Sequence, residues 1–161
     1  MLGLLPKVKL MALEVNSLIG TIPLSPRNLS TLEEMYLNEN VLQGSIPNAV
    51  GLLGSLSILI SYSNNLTGPI PSSLFNISSL RILDLDSNGF TGQLPTNIFP
   101  RLPNLELIYL WGKQLSGPIN TSLHNASNLK KIVLSDFWDR LAKKQQGFIT
   151  FTSIVYSYQY K

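Results

Sequence analysis

The chain has 161 residues, of which 44% are hydrophobic and only 13% are charged, and its formal net charge is +3. It contains no cysteine and a single histidine, His124. This composition excludes disulfides, thiol chemistry, metal sites built on histidine pairs and histidine-based catalytic triads. Much of the positive charge lies near the C-terminus and is not part of a nucleic-acid-binding motif, which favours a solvated tail over a nucleic-acid-binding surface.

One short phrase recurs along the chain at a constant interval of 24 positions. It reads NSLIGTIP from Asn16, NVLQGSIP from Asn40, NNLTGPIP from Asn64 and NGFTGQLP from Asn88. A fifth copy, KQLSGPIN, begins at Lys113, one position later than the interval predicts, and a sixth unit begins at Leu129 and then fails. A fixed interval of this size is typical of a solenoid made of stacked coils.

Each phrase follows an aliphatic pattern with spacings of three and then two positions, as in Leu32, Met35 and Leu37. A spacing of two is that of a strand whose alternate side chains enter a core. The pattern predicts one short parallel strand per unit, at about residues 10–13, 34–37, 58–61, 82–85, 107–110 and 131–134. Ser61 replaces the last aliphatic residue of its unit, and we expect it to remain on the strand.

The phrase itself is rich in residues that favour turns. We expect its asparagines to turn their amides inward and form a buried ladder where the chain leaves the sheet. These residues are Asn16, Asn40, Asn64 and Asn88. The glycine permits a sharp corner, and the proline fixes an extended segment along the outer wall. The predicted fold is an α/β-type repeat solenoid over residues 5–134, a right-handed coil with a parallel concave sheet and little regular helix.

The repeat ends after Leu134, and residues 135–161 form a separate tail. SDFWDRLAKKQQG predicts a short helix, and FITFTSIVYSYQYK predicts a strand-prone segment. The tail either caps the solenoid or is foreign to it. Its apolar character favours the second interpretation, because the ends of repeat arrays need polar caps.

The phrase L-x-x-L-x-L-x-x-N-x-L-x-G-x-I-P resembles the plant-specific class of leucine-rich repeat. The stretch from Phe75 to Ser135 further resembles the ectodomains of plant receptor-like serine/threonine kinases that perceive microbial patterns. This resemblance implies a ligand-sensing module at the extracellular face of the plasma membrane, active in immune or developmental signalling. It implies a peptide or protein ligand and allows a co-receptor, and it implies neither a cofactor nor a nucleic acid.

Several parts of such receptors are missing from the sequence. There are no paired cysteines for caps, no convincing signal peptide and no apolar run of the roughly 18 residues that a membrane span needs. The motifs of a kinase domain are also missing, so we expect no enzymatic activity from this chain. Two alternatives remain open, a secreted inhibitor of wall-degrading enzymes and a truncated, non-signalling gene product, and the missing ends favour the latter.

The residues between and just after the aliphatic pair of each strand face the concave surface in this type of repeat. We expect ligand contact there, with aromatic side chains as anchors and two aspartates favouring a basic ligand. The candidate residues are Tyr36, Tyr62, Asp84, Asp86, Tyr109 and Trp111. The alternative is that the rings only stack along the sheet. Acidic residues on the strands, Glu33 and Glu34 included, favour a solvated or ligand-facing role over a catalytic pair, and His124 favours a surface loop.

The size of this concave strip limits what it binds alone. Six strands spaced by about 4.8 Å make a strip about 24 Å long, enough for roughly seven residues of an extended peptide. At a width of about 15 Å its area is roughly 360 Å², less than half of the ~800 Å² that each partner contributes to a standard interface. A partner that binds tightly would therefore need an array with more repeats than this chain has.

Five asparagines begin N-x-S/T sequons, which are acceptors for N-glycosylation in secreted proteins. They are Asn28, Asn65, Asn76, Asn120 and Asn125. The Asn, Ser and Thr content of the chain gives about two such sequons by chance. The excess favours a secretory origin.

Overall fold

Eleven short strands and three single-turn helices make up the regular structure of the described residues. The structure is a computed structural model that describes residues 7–24, 29–111, 114–116 and 126–134. The strands are β1 (Leu10–Ala12), β2 (Ile19–Gly20), β3 (Glu34–Tyr36), β4 (Val41–Gly44), β5 (Ile58–Ile60), β6 (Asn65–Pro69), β7 (Ile82–Asp84), β8 (Gly89–Gln93), β9 (Leu107–Leu110), β10 (Gln114–Ser116) and β11 (Lys131–Leu134). The helices are the 3₁₀ turns Asn48–Leu52 and Ser72–Asn76 and the short α-helix α1, Ile98–Arg101. The predicted tail, residues 135–161, and His124 lie outside the described residues.

The odd-numbered strands form one parallel sheet in chain order, and the even-numbered strands form a second. In the first sheet Met11 pairs with Met35, Met35 with Leu59 and Leu59 with Leu83. The repeat interval of the sequence is therefore the register of the sheet. The predicted solenoid is confirmed, and the six strands of the first sheet lie within one residue of their predicted limits.

The core lies between the two sheets and is filled by the repeating aliphatic positions. In β3, β5 and β7 the middle residue is buried and its two neighbours are only partly exposed. Leucines that lead into the strands are fully enclosed, as at Leu32, Leu56 and Leu80. Burying a leucine side chain contributes roughly 2 kcal/mol, so a coil gains its stability from the coil stacked against it.

Ser61 departs from its predicted place by one residue, because β5 ends at Ile60. The hydrogen-bonding pattern nevertheless continues, since the Ser61 N–H donates to the Asp84 carbonyl over 2.8 Å. Ser61 is 1% exposed, at the position that Leu37 and Leu85 occupy in the adjacent coils. Its hydroxyl has no hydrogen-bond partner among the described residues.

The second sheet corrects the prediction of one strand per unit. Residues of the turn phrase form β2, β4, β6, β8 and β10, which pair in parallel from coil to coil. Leu42 and Leu66 in this sheet are buried, whereas Gln43 and Thr67 beside them are exposed. A turn-rich sequence extends into a strand here because a similar segment lies one strand spacing away and supplies the hydrogen-bonding partners.

The corner glycines adopt positive φ, as a sharp corner requires, and each coil has a second residue with positive φ. Gly20, Gly44, Gly68 and Gly92 have φ between 77° and 91°. The residue before each ladder asparagine is also left-handed, with φ between 51° and 55° at Val15, Glu39, Ser63 and Ser87. Val15 is the unfavourable member of this set, because β-branched side chains avoid positive φ.

The asparagines bridge neighbouring coils through their side-chain amides. Asn64 Nδ2 donates to the Leu37 carbonyl of the preceding coil over 2.9 Å and to the Ser61 carbonyl of its own coil over 3.1 Å. Its Oδ1 accepts the Leu42 N–H of the preceding coil over 3.0 Å. Asn40 and Asn88 repeat this arrangement. Asn16 differs, because it is exposed and donates only within its own coil.

A second set of polar bridges, absent from the sequence prediction, holds the opposite corner of each coil. The residue before the first leucine of each unit donates to a carbonyl of the preceding coil over 2.9 to 3.0 Å. These residues are Thr31, Ser55, Ser79, Asn104 and Asn128. The signal in the sequence is that this position is Thr, Ser or Asn in the five units that begin with leucine, whereas Lys7 occupies it before Val8 in the first unit. The units that contain Asn40, Asn64 and Asn88 are therefore fastened to the preceding unit at both ends of the concave strand, whereas the fifth unit has Lys113 in place of the asparagine.

Gly51 provides a test of how closely the coils pack. A Cβ at Gly51 would lie 2.5 Å from the Ser73 Cβ and 2.7 Å from the Ser73 carbonyl oxygen of the next 3₁₀ turn. We expect Gly51→Ala to lower the free energy of unfolding by about 1–3 kcal/mol, because the two turns must move apart. Urea unfolding monitored by circular dichroism measures this change.

The matched control is Gly54→Ala. A Cβ at Gly54 meets no atom within 4 Å, so its substitution should change the free energy of unfolding by less than about 0.5 kcal/mol. Equal stability of the two variants would contradict the close approach of the two turns.

Candidate functional site

The first sheet places one row of candidate residues side by side on its concave face. Tyr36 pairs with Ile60, Ile60 with Asp84, and Asp84 with Tyr109. All four are partly exposed, whereas Met35 and Leu83, one residue away, are buried. The sheet therefore brings together residues that are one whole repeat apart in sequence.

A second row lies just beyond the ends of these strands. The Ser63 N–H donates to the Asp86 carbonyl over 3.1 Å, which places Tyr62 beside Asp86. Trp111 occupies the same position of the following coil and is also partly exposed. Tyr62, Asp86 and Trp111 thus extend the first row toward the ladder asparagines. In the first row, Tyr36 lies two strands away from Asp84, because β5 separates β3 from β7.

Two of the tyrosine hydroxyls are already held by carboxylates. Tyr36 donates to Glu34 Oε2 and Tyr62 donates to Glu39 Oε1, each over 2.9 Å. Burial raises the pKa of Tyr36, and the bond to Glu39 raises the pKa of Tyr62. Lys131 Nζ lies 5.1 Å from the centre of the Tyr109 ring, within cation–π range. These contacts hold the rings of Tyr36, Tyr62 and Tyr109 in position within the described structure.

Asp84 and Asp86 are turned toward the backbone at the end of β7. Asp84 Oδ1 accepts the Asp86 N–H over 3.1 Å, and Asp86 Oδ1 accepts the Ser87 N–H over 3.0 Å. Burial raises the pKa of Asp84 to about 6, although the Asp86 N–H acts in the opposite direction. Burial also raises the pKa of Asp86, against hydrogen bonds from the backbone of Ser87 and Trp111. Within the described part of the chain, neither aspartate forms a salt bridge.

The glutamates at the other edge of the sheet are paired with cations. Glu33 lies 2.7 Å from Lys9, and Glu106 lies 2.7 Å from both Arg81 and Lys130. Hydrogen bonds from Lys130 and then Arg81 lower the pKa of Glu106. The charges of Glu33 and Glu106 at that edge are therefore compensated. Among the described residues, Asp84 and Asp86 have no cationic partner, and neither have Glu14 and Glu34.

Sequence reasoning missed an apolar row between these two charged rows. Ile58, Ile82 and Leu107 are register partners on β5, β7 and β9, and all three are partly exposed. The signal was present, because these residues sit two positions before the row of Asp84 and recur at the same interval. The concave face thus has an aliphatic row, formed by these three residues, beside the aspartate pair.

The predicted glycosylation sites lie off the concave sheet where they are described. Asn65 is exposed on β6 of the second sheet. Asn76 is exposed at the end of a 3₁₀ turn, where its Oδ1 accepts a hydrogen bond from Arg101 Nη1 over 3.0 Å. Asn28, Asn120 and Asn125 lie outside the described residues.

The profile of the Leucine Rich Repeat family matches residues 79–100. The structure also superposes on plant receptor ectodomains over most of its length. The plant peptide hormone receptor RGFR1 in complex with RGF2 is 34% identical over 80% of this chain, with a TM-score of 0.74. The chain belongs to the leucine-rich-repeat family. Its repeats are of the plant type, as the turn phrase indicates.

Two further leucine-rich-repeat structures, both from Arabidopsis thaliana, are similar. The ectodomain of the membrane receptor kinase GASSHO1/SCHENGEN3, in complex with CASPARIAN STRIP INTEGRITY FACTOR 2, is 32% identical over 80% of this chain, with a TM-score of 0.72. The ectodomain of the receptor kinase SOBIR1 is 33% identical over 78% of this chain, with a TM-score of 0.68. No curated protein sequence matches the chain at a significant level.

The leucine-rich-repeat chain is much shorter than most of these relatives. It spans 20% of RGFR1, 16% of GASSHO1/SCHENGEN3 and 66% of SOBIR1 as they stand in those structures. None of the helices in the described ranges has the length and hydropathy to cross a membrane. The same ranges hold no cluster of three or more acidic or histidine side chains arranged to bind a metal ion.

The raised pKa of Asp84 predicts a pH-dependent stability. A carboxyl group whose pKa is higher in the folded state stabilises the fold below its unfolded pKa of 3.8 and loses that contribution as the pH rises through about 6. Asp84→Asn keeps the shape and the acceptor oxygen but carries no charge. We expect this variant to match the wild type at pH 3.5 and to exceed it at pH 7 by about 1 kcal/mol, allowing for solvent screening.

Glu106→Gln is the control, because its effect on stability should depend on pH in the opposite direction to that of Asp84→Asn. The lowered pKa of Glu106 means that its pairing stabilises the fold above the unfolded pKa of 4.5 and is lost as the pH falls. The glutamine variant should therefore be less stable than the wild type at pH 7 and approach it in acid. Urea unfolding at four pH values between 3.5 and 7 measures both differences, and a difference for Asp84→Asn that stays constant with pH would refute the burial of this carboxylate.

Proposed function

We propose that residues 5–134 form part of the extracellular ligand-binding region of a plant receptor-like kinase that takes part in immune or developmental signalling. In this proposal the chain has no catalytic role of its own. It binds a peptide or protein ligand on the concave face, and the array also offers lateral surfaces to a co-receptor. The similar ectodomains of RGFR1 and GASSHO1/SCHENGEN3 are in complex with RGF2 and with CASPARIAN STRIP INTEGRITY FACTOR 2, which supports a binding role.

The observation that carries the proposal is the uncompensated aspartate pair among orientated aromatic rings. Asp84 pairs in register with Tyr109, and Asp86 lies beside Tyr62. A partly buried carboxylate without a cationic partner is costly, and a basic ligand group would recover that cost. We infer that the strip prefers an extended peptide with a basic side chain, with Tyr62, Tyr109 and Trp111 as anchors.

The aliphatic row of Ile58, Ile82 and Leu107 extends this inference to an apolar side chain of the ligand. Ile58, Ile82 and Leu107 form a continuous row across three strands, directly beside Asp84. An apolar ligand side chain would lie on this row while a neighbouring basic group reaches the aspartates. A peptide with both groups fits the described surface better than a uniformly charged one.

A direct test is selection of binders from a library of random seven-residue peptides, followed by titration. We expect the selected peptides to be enriched in Lys or Arg and to bind more weakly as salt is raised, because exposed charges are screened beyond about 8 Å at physiological ionic strength. Tyr109→Ala combined with Trp111→Ala should weaken binding by at least about tenfold, because aromatic anchors carry a large share of interface energy. Thermal unfolding should change little, since both rings lie outside the core.

The matched control replaces two exposed residues of the second sheet, Gln43→Ala with Thr67→Ala, and should leave affinity unchanged. Equal affinities of the wild type and the aromatic double variant would remove the strip from the binding site. The rings would then serve cross-strand packing alone.

Glycan placement gives an independent prediction. Glycans on Asn65 and Asn76 would leave the concave strip open, because both residues are exposed away from that sheet. We expect the chain, expressed through a plant secretory pathway with an added leader, to lose apparent mass on glycosidase treatment. Asn65→Gln and Asn76→Gln should each remove one increment of mass without affecting peptide binding, and an unchanged mass in the wild type would contradict the secretory assignment.

A further inference from the structure

Leu52 is an aliphatic residue at a position that is polar in the two coils that follow. It ends the first 3₁₀ turn and is 68% exposed. Asn76 ends the second 3₁₀ turn and Arg101 ends α1, and both are exposed. These three residues form an outer column, with one residue from each coil. A single exposed leucine is ordinary on a protein surface, but this one lies next to a potential modification site.

The side chains of the outer column reach from one coil to the next. Arg101 Nη1 donates to Asn76 Oδ1 over 3.0 Å, although the two residues are 25 positions apart. The turns beneath the column are also closely packed, since a Cβ at Gly51 would lie 2.5 Å from the Ser73 Cβ. Asn76 therefore lies between Arg101 of the following coil and Leu52 of the preceding coil.

The hydrogen bond from Arg101 sets the direction of the Asn76 amide. Oδ1 faces the following coil, because it accepts the Arg101 N–H there. Nδ2 leaves the same amide carbon on the other side, so it is directed toward the preceding coil and Leu52. Within the described ranges, Nδ2 of Asn76 has no hydrogen-bond partner. This nitrogen is therefore free to carry a substituent.

Nδ2 is also the atom that N-glycosylation modifies, and Asn76, Ile77 and Ser78 form a sequon. Attachment breaks an N–H bond of Nδ2 and forms a bond from Nδ2 to C1 of N-acetylglucosamine. The carrier of the sugar leaves as a lipid pyrophosphate, and the proton is released. Oδ1 takes no part in this linkage, so the modified side chain still accepts the hydrogen bond from Arg101.

We propose that the first N-acetylglucosamine of a glycan on Asn76 packs on Leu52, and that Arg101 is the positioning residue that directs it there. The C–H face of the sugar ring and its acetyl methyl group cover the leucine side chain, which thereby leaves water. The inference rests on the secretory origin contained in the proposed function, and it is independent of peptide binding by the concave face.

Two other sequons define the competing source and the control. Asn28 occupies the matching position one unit before Leu52 in the repeat, so its glycan is the competing cover for Leu52. Asn65 lies beside Gln43 in the register of the second sheet. A glycan on Asn65 has a polar neighbour, so Asn65 is the matched control for Asn76.

The test is a double-mutant cycle on the full chain, expressed with an added leader in a host that attaches high-mannose glycans. Asn76→Gln removes the glycan, and it should shift the unfolding equilibrium about fivefold toward the unfolded state, the effect of uncovering roughly half of a leucine side chain. Combined with Leu52→Ser, the same substitution should shift the equilibrium less than about twofold. Asn65→Gln should have an equal effect with and without Leu52→Ser.

Trimming the glycan separates the first sugar from the others. Endoglycosidase H leaves a single N-acetylglucosamine on the asparagine, so the trimmed protein should keep the urea midpoint of the intact glycoprotein. Its NMR spectra should show nuclear Overhauser contacts between sugar protons and the Leu52 methyl groups. Arg101→Ala should weaken these contacts, because the amide is no longer held to one side, and Arg101→Lys should restore part of them.

The proposal is wrong if mass spectrometry finds Asn76 unmodified in the glycoprotein, or if Asn76→Gln has the same effect with and without Leu52→Ser. It is also wrong if trimming lowers the midpoint to that of Asn76→Gln. Contacts to Leu52 that persist in Asn76→Gln and disappear in Asn28→Gln would assign the cover to the sugar on Asn28. Failure of the peptide selection would leave the glycan contact unaffected, so the two proposals are tested separately.

Discussion

The structure depends on the hydrogen bonds that Asn40, Asn64 and Asn88 each make to two coils at once. Asn64 joins a carbonyl and an N–H of the preceding coil to a carbonyl of its own coil. Because these groups lie in a buried corner, loss of the amide would leave several backbone groups unsatisfied, at roughly 1–3 kcal/mol each. This requirement fixes the length of the repeating unit, since a coil of another length would move the asparagine away from its partners.

A fixed coil length has a consequence for the concave face. Residues at matching positions become direct neighbours, so Asp84 meets Tyr109 although a whole coil separates them in sequence. The core positions are occupied almost entirely by apolar residues, Phe75 and Phe90 among them, whereas the positions between them are free to vary. Ser61 shows the limit of this restriction, because one small polar residue is tolerated in a core column between Leu37 and Leu85.

Charge is distributed unevenly across that face. At one edge, Glu33 and Glu106 are neutralised by lysine and arginine from neighbouring coils. At the other, Asp84 and Asp86 are stabilised only by backbone N–H groups and lose hydration without gaining a cation in the described structure. Such an arrangement costs stability at neutral pH, and in the proposed function a basic ligand group would offset that cost.

The sequence by itself determined the coil length, the concave strands, the corner glycines and the inward-turning asparagines, because each follows from a periodic choice of residue. Only the tertiary structure decided the second sheet and the second set of bridges, from Thr31 to Asn128, since both need a neighbouring coil to supply their partners. The same holds for the site. The sequence placed Asp84, Asp86 and the aromatic residues on one face, but whether a carboxylate there is paired or buried depends on residues a whole coil away. Local patterns specify which way a side chain points, and stacking specifies what it meets.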